Sequence, residues 1–177
     1  GAKGDGVALD ASAINTMLQE NSVCRGTPGA VYLIDDPIVI PSNTYFDFSR
    51  STLRLANGAN CYMLVNEDPT NGDENIILVR GKLDGNSAGQ TRNYTSSYLT
   101  GYFGFGAAFT KVDNLIIQDW DVADTEAWGI SYWHCGSVMF DNFRFDQAET
   151  SGQNGDGITG SARCVLVSNI SGYTNDD

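Results

Sequence analysis

Two patterns of apolar positions divide the chain. Behind Asp10, which is placed to serve as a helix N-cap, Ala11, Ile14, Met17 and Leu18 recur at helical spacing. This predicts a short amphipathic helix over residues 11–20. From Gly29 onward the apolar residues gather into brief β-rich runs: 31–34, 38–40, 45–48, 53–55, 62–65 and 76–79. Pro, Asn and Ser separate them, as in Pro41-Ser42-Asn43. Asp84-Gly85-Asn86 predicts a turn. Residues 87–106, rich in Gly, Ser and Tyr, predict a long loop with Tyr94, Tyr98 and Tyr102 as a rim or as packing for the loop itself.

The second half repeats. Asn114-Leu115-Ile116-Ile117, Ser137-Val138-Met139-Phe140 and Cys164-Val165-Leu166-Val167 follow one another at intervals of 23 and 27 residues. A second short run follows each of them: Trp120 to Val122, Phe143 to Phe145, then Ile170. A third position recurs as Trp128-Gly129-Ile130 and Asp156-Gly157-Ile158. Three short strands in a fixed order, once per 20–30 residues, predict an all-β solenoid. A β-sandwich would not repeat strand triplets in one order, and the Leu/Asn framework of a leucine-rich repeat is missing. One such level alone cannot bury its inward side chains. Stacking the levels about 4.8 Å apart pairs every backbone group and builds continuous apolar columns. Asn114, Asn142 and Asn169 are expected to stack as a side-chain ladder. The helix then covers an open sheet end, whose unpaired edge would otherwise invite aggregation.

The whole of 1–177 reads as one domain, with the capping helix near 10–20 and stacked levels over 29–177. The abrupt start and the acidic end suggest a piece of something longer. Net charge is −12, with only ten Lys and Arg. That excludes nucleic acid as a partner, because phosphate backbones need a basic surface. No run reaches the roughly 18 apolar residues of a membrane span. The four cysteines, Cys24, Cys61, Cys135 and Cys164, match no zinc spacing. They read as buried free thiols, with a Cys135–Cys164 disulfide as the alternative. Asn93-Tyr94-Thr95 fits a glycosylation sequon, relevant only on a eukaryotic secretory route.

Candidate chemistry concentrates in the last quarter. Asp156 sits in Asn154-Gly155-Asp156-Gly157, and Asp176 and Asp177 follow about one level later. Three carboxylates on neighbouring levels suit paired-acid glycoside hydrolysis, in which one acid protonates the leaving oxygen and a second carboxylate activates water or attacks. Crowding raises the pKa of one of them and keeps it protonated. An ordinary Asp-Gly turn explains Asp156 taken alone. The same acids suit calcium, with Arg163 as the nearest proton-abstracting base of a lyase. Trp128, Tyr132 and Trp133 are candidate sugar-stacking platforms, with core packing as the plain alternative. Trp120 reads as core. His134, the only histidine, either borders the cleft or fills a structural hydrogen-bonding role.

These residues carry a resemblance. Gly1-Ala2-Lys3-Gly4-Asp5-Gly6 and the helix behind it resemble the N-terminal signature of pectate-lyase-like, right-handed parallel β-helix proteins. Leu83-Asp84-Gly85-Asn86 is similar to a common turn in them. The segment from Asn154 to Asp177 resembles the Asn-Thr-Asp-Gly and Asp-Asp motifs of polygalacturonase-type glycoside hydrolases. It is closer still to the variant in bacteriophage tailspikes and appendage proteins that degrade surface glycans. The resemblance implies a right-handed parallel β-helix with a capping helix and hydrolysis of a bacterial surface polysaccharide. It makes Asp156, Asp176 and Asp177 catalytic, with Trp128, Trp133, His134 and Arg163 lining the cleft. No cofactor is implied, except calcium under the lyase alternative. It further implies a place on a phage virion tail, or secretion if the source is bacterial, and a homotrimer if the chain is a tailspike. Gly155 stands where the family has Thr, and the family's later His and basic motif are unmatched. A non-catalytic glycan-binding adhesin or structural spike is the rival from another class.

Overall fold

The computed structural model describes residues 1–92, 102–147 and 155–176. Tyr94, Tyr98, the sequon at 93–95, Asn154 and Asp177 lie outside the described residues. Within them the chain is predominantly β, with one α-helix. The strands are β1 (Asp5–Leu9), β2 (Val23–Arg25), β3 (Val31–Ile34), β4 (Ile38–Ile40), β5 (Tyr45–Asp47) and β6 (Thr52–Leu55). They continue with β7 (Leu64–Asn66), β8 (Asp73–Asp84), β9 (Ala107–Thr110), β10 (Val112–Ala123), β11 (Ile130–Asp146) and β12 (Ile158–Tyr173). The helix α1 (Ala11–Glu20) lies between β1 and β2.

Every strand pairing among the described residues is parallel. The pairings run in three lanes. Lane 1 joins β1, β3, β6 and the C-terminal ends of β8, β10, β11 and β12. Lane 2 joins β2, β5 and the middles of those long strands. Lane 3 joins β4, β7, β9 and the starts of β11 and β12. The chain visits the lanes in the same order each time, so each position meets its counterpart on the next level. Leu115 pairs with Val138 and Val138 with Val165, as the sequence repeat requires.

Inward positions form columns. In lane 2 Phe46, Leu78, Ile117, Phe140 and Val167 stand on one another, and all but Val167 are fully buried. In lane 1 Trp120 is buried as expected and stacks between Gly81 and Phe143. Fully burying a large apolar side chain contributes about 1.5–3 kcal/mol, so these columns are the main source of stability. β12 ends the stack, and its Val165, Val167 and Ile170 are 45%, 45% and 44% exposed.

α1 has the predicted bounds and buries Ala11, Ile14 and Leu18. It packs against β4, β2 and β3, at the β1 end of the stack. Asp10 departs from expectation. Its carboxylate makes no cap bond to the helix and instead accepts the amides of Lys3 (2.7 Å) and Gly4 (3.0 Å). The Gly1–Gly6 segment is thereby pinned to the start of α1.

The corners between lanes use left-handed backbone. Arg80, Asp119, Asn142 and Asn169 occupy one corner on successive levels, with φ of 58°, 62°, 55° and 54°. Asn43, Asn75 and Asn114 occupy another, with φ of 60°, 54° and 67°. The expected ladder of Asn114, Asn142 and Asn169 is therefore corrected, because these residues belong to two corners. Asn114 donates to Asn75, and Asn75 to Asn43, each at 3.0 Å. Asn142 donates to Asp119 and Asn169 to Asp141. Asn and Asp dominate here because their short polar side chains tolerate this conformation and can hydrogen-bond locally.

The four cysteines are free. Cys135 is buried beside Ala162, whereas Cys164 is exposed beside Ser137, so the two thiols do not meet. Trp120, Cys24 and Cys135 thus belong to the scaffold.

The Asn75 ladder gives a stability test. Asn75→Ala removes two amide hydrogen bonds and leaves a Cβ-bearing residue at φ 54° without local support, at a cost of about 2–3 kcal/mol. Asn75→Gly keeps the backbone conformation and costs about 1 kcal/mol less. Urea unfolding of the two variants measures both. Equal losses would show that the corner conformation contributes nothing.

Candidate functional site

The site is the corner where the chain enters lane 3. The backbone turns here on a column of glycines, Gly106, Gly129 and Gly157. A Cβ on Gly106 would lie 2.6 Å from the Gly129 carbonyl, and one on Gly129 2.8 Å from that of Gly157. Only glycine lets these levels approach so closely. Gly106 N donates to Trp128 O and Gly129 N to Asp156 O, both at 2.9 Å. The residues before the glycines therefore form a second column: Phe105, Trp128 and Asp156. Tyr62 extends it below. Its ring stacks on Phe105 with centroids 5.5 Å apart, and Phe105 stacks on Trp128 at 4.4 Å with planes 4° apart. An aromatic ladder thus climbs three levels and ends beneath Asp156.

The Asp156 carboxylate is half-buried and accepts the Thr159 hydroxyl. The segment after β12 folds back over it. The Asn175 side chain lies where a Cβ of Gly155 would be, and Thr174 Cγ2 sits 3.2 Å from the corresponding position of Gly157. This accounts for glycine at 155, since the larger Thr would displace Asn175. Thr174 Oγ1 donates to the Asp176 carbonyl at 3.1 Å. The segment bearing Asp176 is thereby set against the segment bearing Asp156, and the Asp176 side chain is exposed. Asp177, the third predicted acid, lies outside the described residues.

Trp133 is half-buried, with its ring 6.1 Å from that of Trp128. Below these rings the outer face of lane 3 forms an apolar groove of about 280 Å³, floored by Val39, Val65 and Ala108 and flanked by Tyr62 and Pro69. His134 and Arg163 are not brought beside the acids. They stand at the other corner of lane 3. Arg163 Nη2 is 3.2 Å from Asp113 Oδ1, so it is held away from the position a lyase base would need. Among the described residues no group of three His, Cys, Asp or Glu side chains is arranged to hold a metal ion.

Glu126 escaped the sequence reading. It lies two residues before Trp128, as Asn154 does before Asp156. Burial pushes its carboxyl above the usual range, against the pull of Arg92 and a hydrogen bond from Tyr102. Its Oε2 is enclosed without a hydrogen-bond partner among the described residues. Tyr102 is itself buried, so it is packing rather than rim. Burial also pushes the Tyr62 hydroxyl up to about 12. The position equivalent to Asn154 was the only available signal for Glu126, and an acid preceding a tryptophan is too ordinary to single out.

No protein-family model matches the sequence. The chain is 26% identical over 177 residues to the preneck appendage protein of Bacillus phage PZA, covering 90% of this chain and 20% of that protein. Several solved structures share the fold. Gene product 12 of bacteriophage phi29, in its pre-mature form, superposes with a TM-score of 0.72 at 22% identity, over 98% of this chain and 28% of that one. A candidate glycosyl hydrolase of Parabacteroides merdae gives 0.72 at 14% identity, over 99% and 95%. PfbA, a surface adhesin of Streptococcus pneumoniae, gives 0.64 at 21%, over 84% and 38%. The chain thus spans one fifth of the phage PZA protein's length. The two phage relatives support the expected location on a virion. Among the described residues no helix is long and apolar enough to cross a membrane.

Glu126 supplies a pH test. A carboxyl whose pKa is raised by folding binds a proton more tightly in the native state, so stability falls as pH rises from the ordinary Glu value through the native one. Glu126→Gln removes that loss. The variant should melt above the parent at pH 7, with the gap closing as the pH falls to about 4. A gap independent of pH would contradict the burial effect.

Proposed function

We propose that the chain is a right-handed parallel β-helix domain of a phage virion appendage, and that it hydrolyses a bacterial surface polysaccharide at the Asp156 corner of lane 3. The right hand follows from the strong preference of parallel crossovers. One observation carries the functional reading. The Asp176 segment is laid over the Asp156 segment, by Asn175 on Gly155 and Thr174 on Gly157, at the head of an aromatic ladder. The phage appendage relative and the candidate glycosyl hydrolase with the same fold favour this reading.

The chemistry follows from the placement. Glycoside hydrolysis needs two carboxylates roughly 5–9.5 Å apart, and the wider separations leave room for a water between them. Asp156 donates its proton to the leaving glycosidic oxygen from its half-buried position above Trp128. Exposed Asp176, with Asp177 next to it in sequence, activates the attacking water. Trp128 offers a ring face to a sugar, and the apolar groove extends the contact along lane 3. The whole appendage is proposed to form a homotrimer, as tailspikes resembling it do.

PfbA, an adhesin on the same fold, favours a second reading in which the wall binds glycan without cleaving it. Asp156→Asn and Asp176→Asn separate the two. Under hydrolysis each lowers the cleavage rate of the host polysaccharide by at least about 10²-fold while binding stays within a few-fold. Retained cleavage in both variants would overturn the assignment of the acids. Binding by the parent with no cleavage of its host polysaccharide would establish the adhesin.

A further inference from the structure

The far corner of lane 3 carries a second groove, of about 540 Å³, lined by Lys111, Asp113, His134, Gly136, Ser161 and Arg163. It is built from three successive levels. Thr110 pairs with Trp133, so Lys111 and His134 occupy the same corner position, with φ of 57° and 55°. Between the pairs Tyr132–Gly160 and Cys135–Ala162, β11 holds two residues and β12 holds one. That extra residue makes a bulge, and bulges re-aim side chains. Here the bulge includes His134, whose backbone N–H donates to Ser161 Oγ and whose side chain is exposed.

Asp113, Gly136 and Arg163 form the neighbouring column. Asp113 and Arg163 are two levels apart, roughly 10 Å along the stack, yet they pair at 3.2 Å. They reach one another because Gly136 between them has no side chain. A Cβ there would overlap Asp113 Oδ1.

The donor inventory of this groove is unusual for a chain of net charge −12. Arg163 has five N–H groups and gives one to Asp113. Lys111 has three and gives one to the Thr70 carbonyl at 2.6 Å. The His134 ring adds another donor. Asp113 is the one carboxylate of the lining. The groove is therefore rich in unspent donors and poor in acceptors.

We infer that this groove binds an anionic oxygen group, carboxylate or phosphate, carried by the polysaccharide. Arg163 and Lys111 grip the oxyanion, His134 closes the groove beside it, and Asp113 holds Arg163 in place until the ligand competes for it. Asp156 and Ser161 are five residues apart along mostly extended chain, roughly 15 Å. A glycan crossing lane 3 would therefore present an acidic substituent here about three sugars from the cleaved bond. This assignment of an acidic substrate rests on the hydrolase reading, whereas the anion site itself is tested without it.

His134 is the sole histidine, so its ring protons give isolated NMR signals. Sodium phosphate and sodium acetate are titrated into the chain at constant ionic strength and pH, with sodium chloride as reference. A saturable shift of the His134 signals beyond that with chloride is expected, and the tighter of the two anions identifies the substituent. Arg163→Gln should weaken it about tenfold, and Lys111→Gln likewise. Asp113→Asn should tighten it by freeing Arg163, a gain that a purely structural role for the pair would not give. No shift beyond chloride, or equal affinity in parent and Arg163→Gln, overturns the inference. A saturable phosphate or acetate response in a protein that cleaves no glycan would leave the anion site standing and sink the hydrolase reading alone.

Discussion

The structure depends on register. Each strand pairs in parallel with its counterpart on the next level, so a residue's neighbours are fixed by its place in the repeat. Slipping one residue would turn every inward side chain outward. Two features hold the register. The apolar columns reward one alignment, and the left-handed corners admit only a few residue types at fixed points. The Asn43–Asn75–Asn114 ladder joins the two, since it stacks side chains at a position where the backbone already favours Asn.

The same constraint organises the site. A column of glycines draws the lane 3 corner tight, and the residue before each glycine is stacked on the one below. Aromatic rings occupy that place on two levels, with the Tyr62 ring beneath them, and an acid occupies it on the third. The wall is rigid because hydrogen-bonded strands supply it, whereas the acids sit at its margin, where the chain leaves the sheet. His134 is displaced by a bulge, which sends its corner toward different chemistry from the Asp156 corner.

Much of this was legible in the sequence. The intervals of 23 and 27 residues predicted which strands pair, and the helix bounds came from simple amphipathic spacing. Trp128 was correctly matched to Asp156 by its place before a Gly-Ile pair. What failed was whatever depended on which corner a residue occupies. Asn114 and Asn142 both flank strands, yet nothing local separates the turn into lane 2 from the turn out of it. Arg163 is near Asp156 along the chain but across lane 3 in space, because strand β12 runs between them. Glu126 was missed because burial, rather than residue type, makes it unusual. Asp10 was assigned a capping role from position alone, while its carboxylate turned to the amides of Lys3 and Gly4.

The central claim is that acids at the lane 3 corner add water across a glycosidic bond. Digestion of the host polysaccharide by the full-length appendage in ¹⁸O-labelled water tests it most directly, with products read by mass spectrometry. The account predicts one heavy oxygen at the new reducing end of each fragment. Fragments carrying an unsaturated sugar and no label would contradict it, and would make the acids ligands or clamps in an elimination reaction.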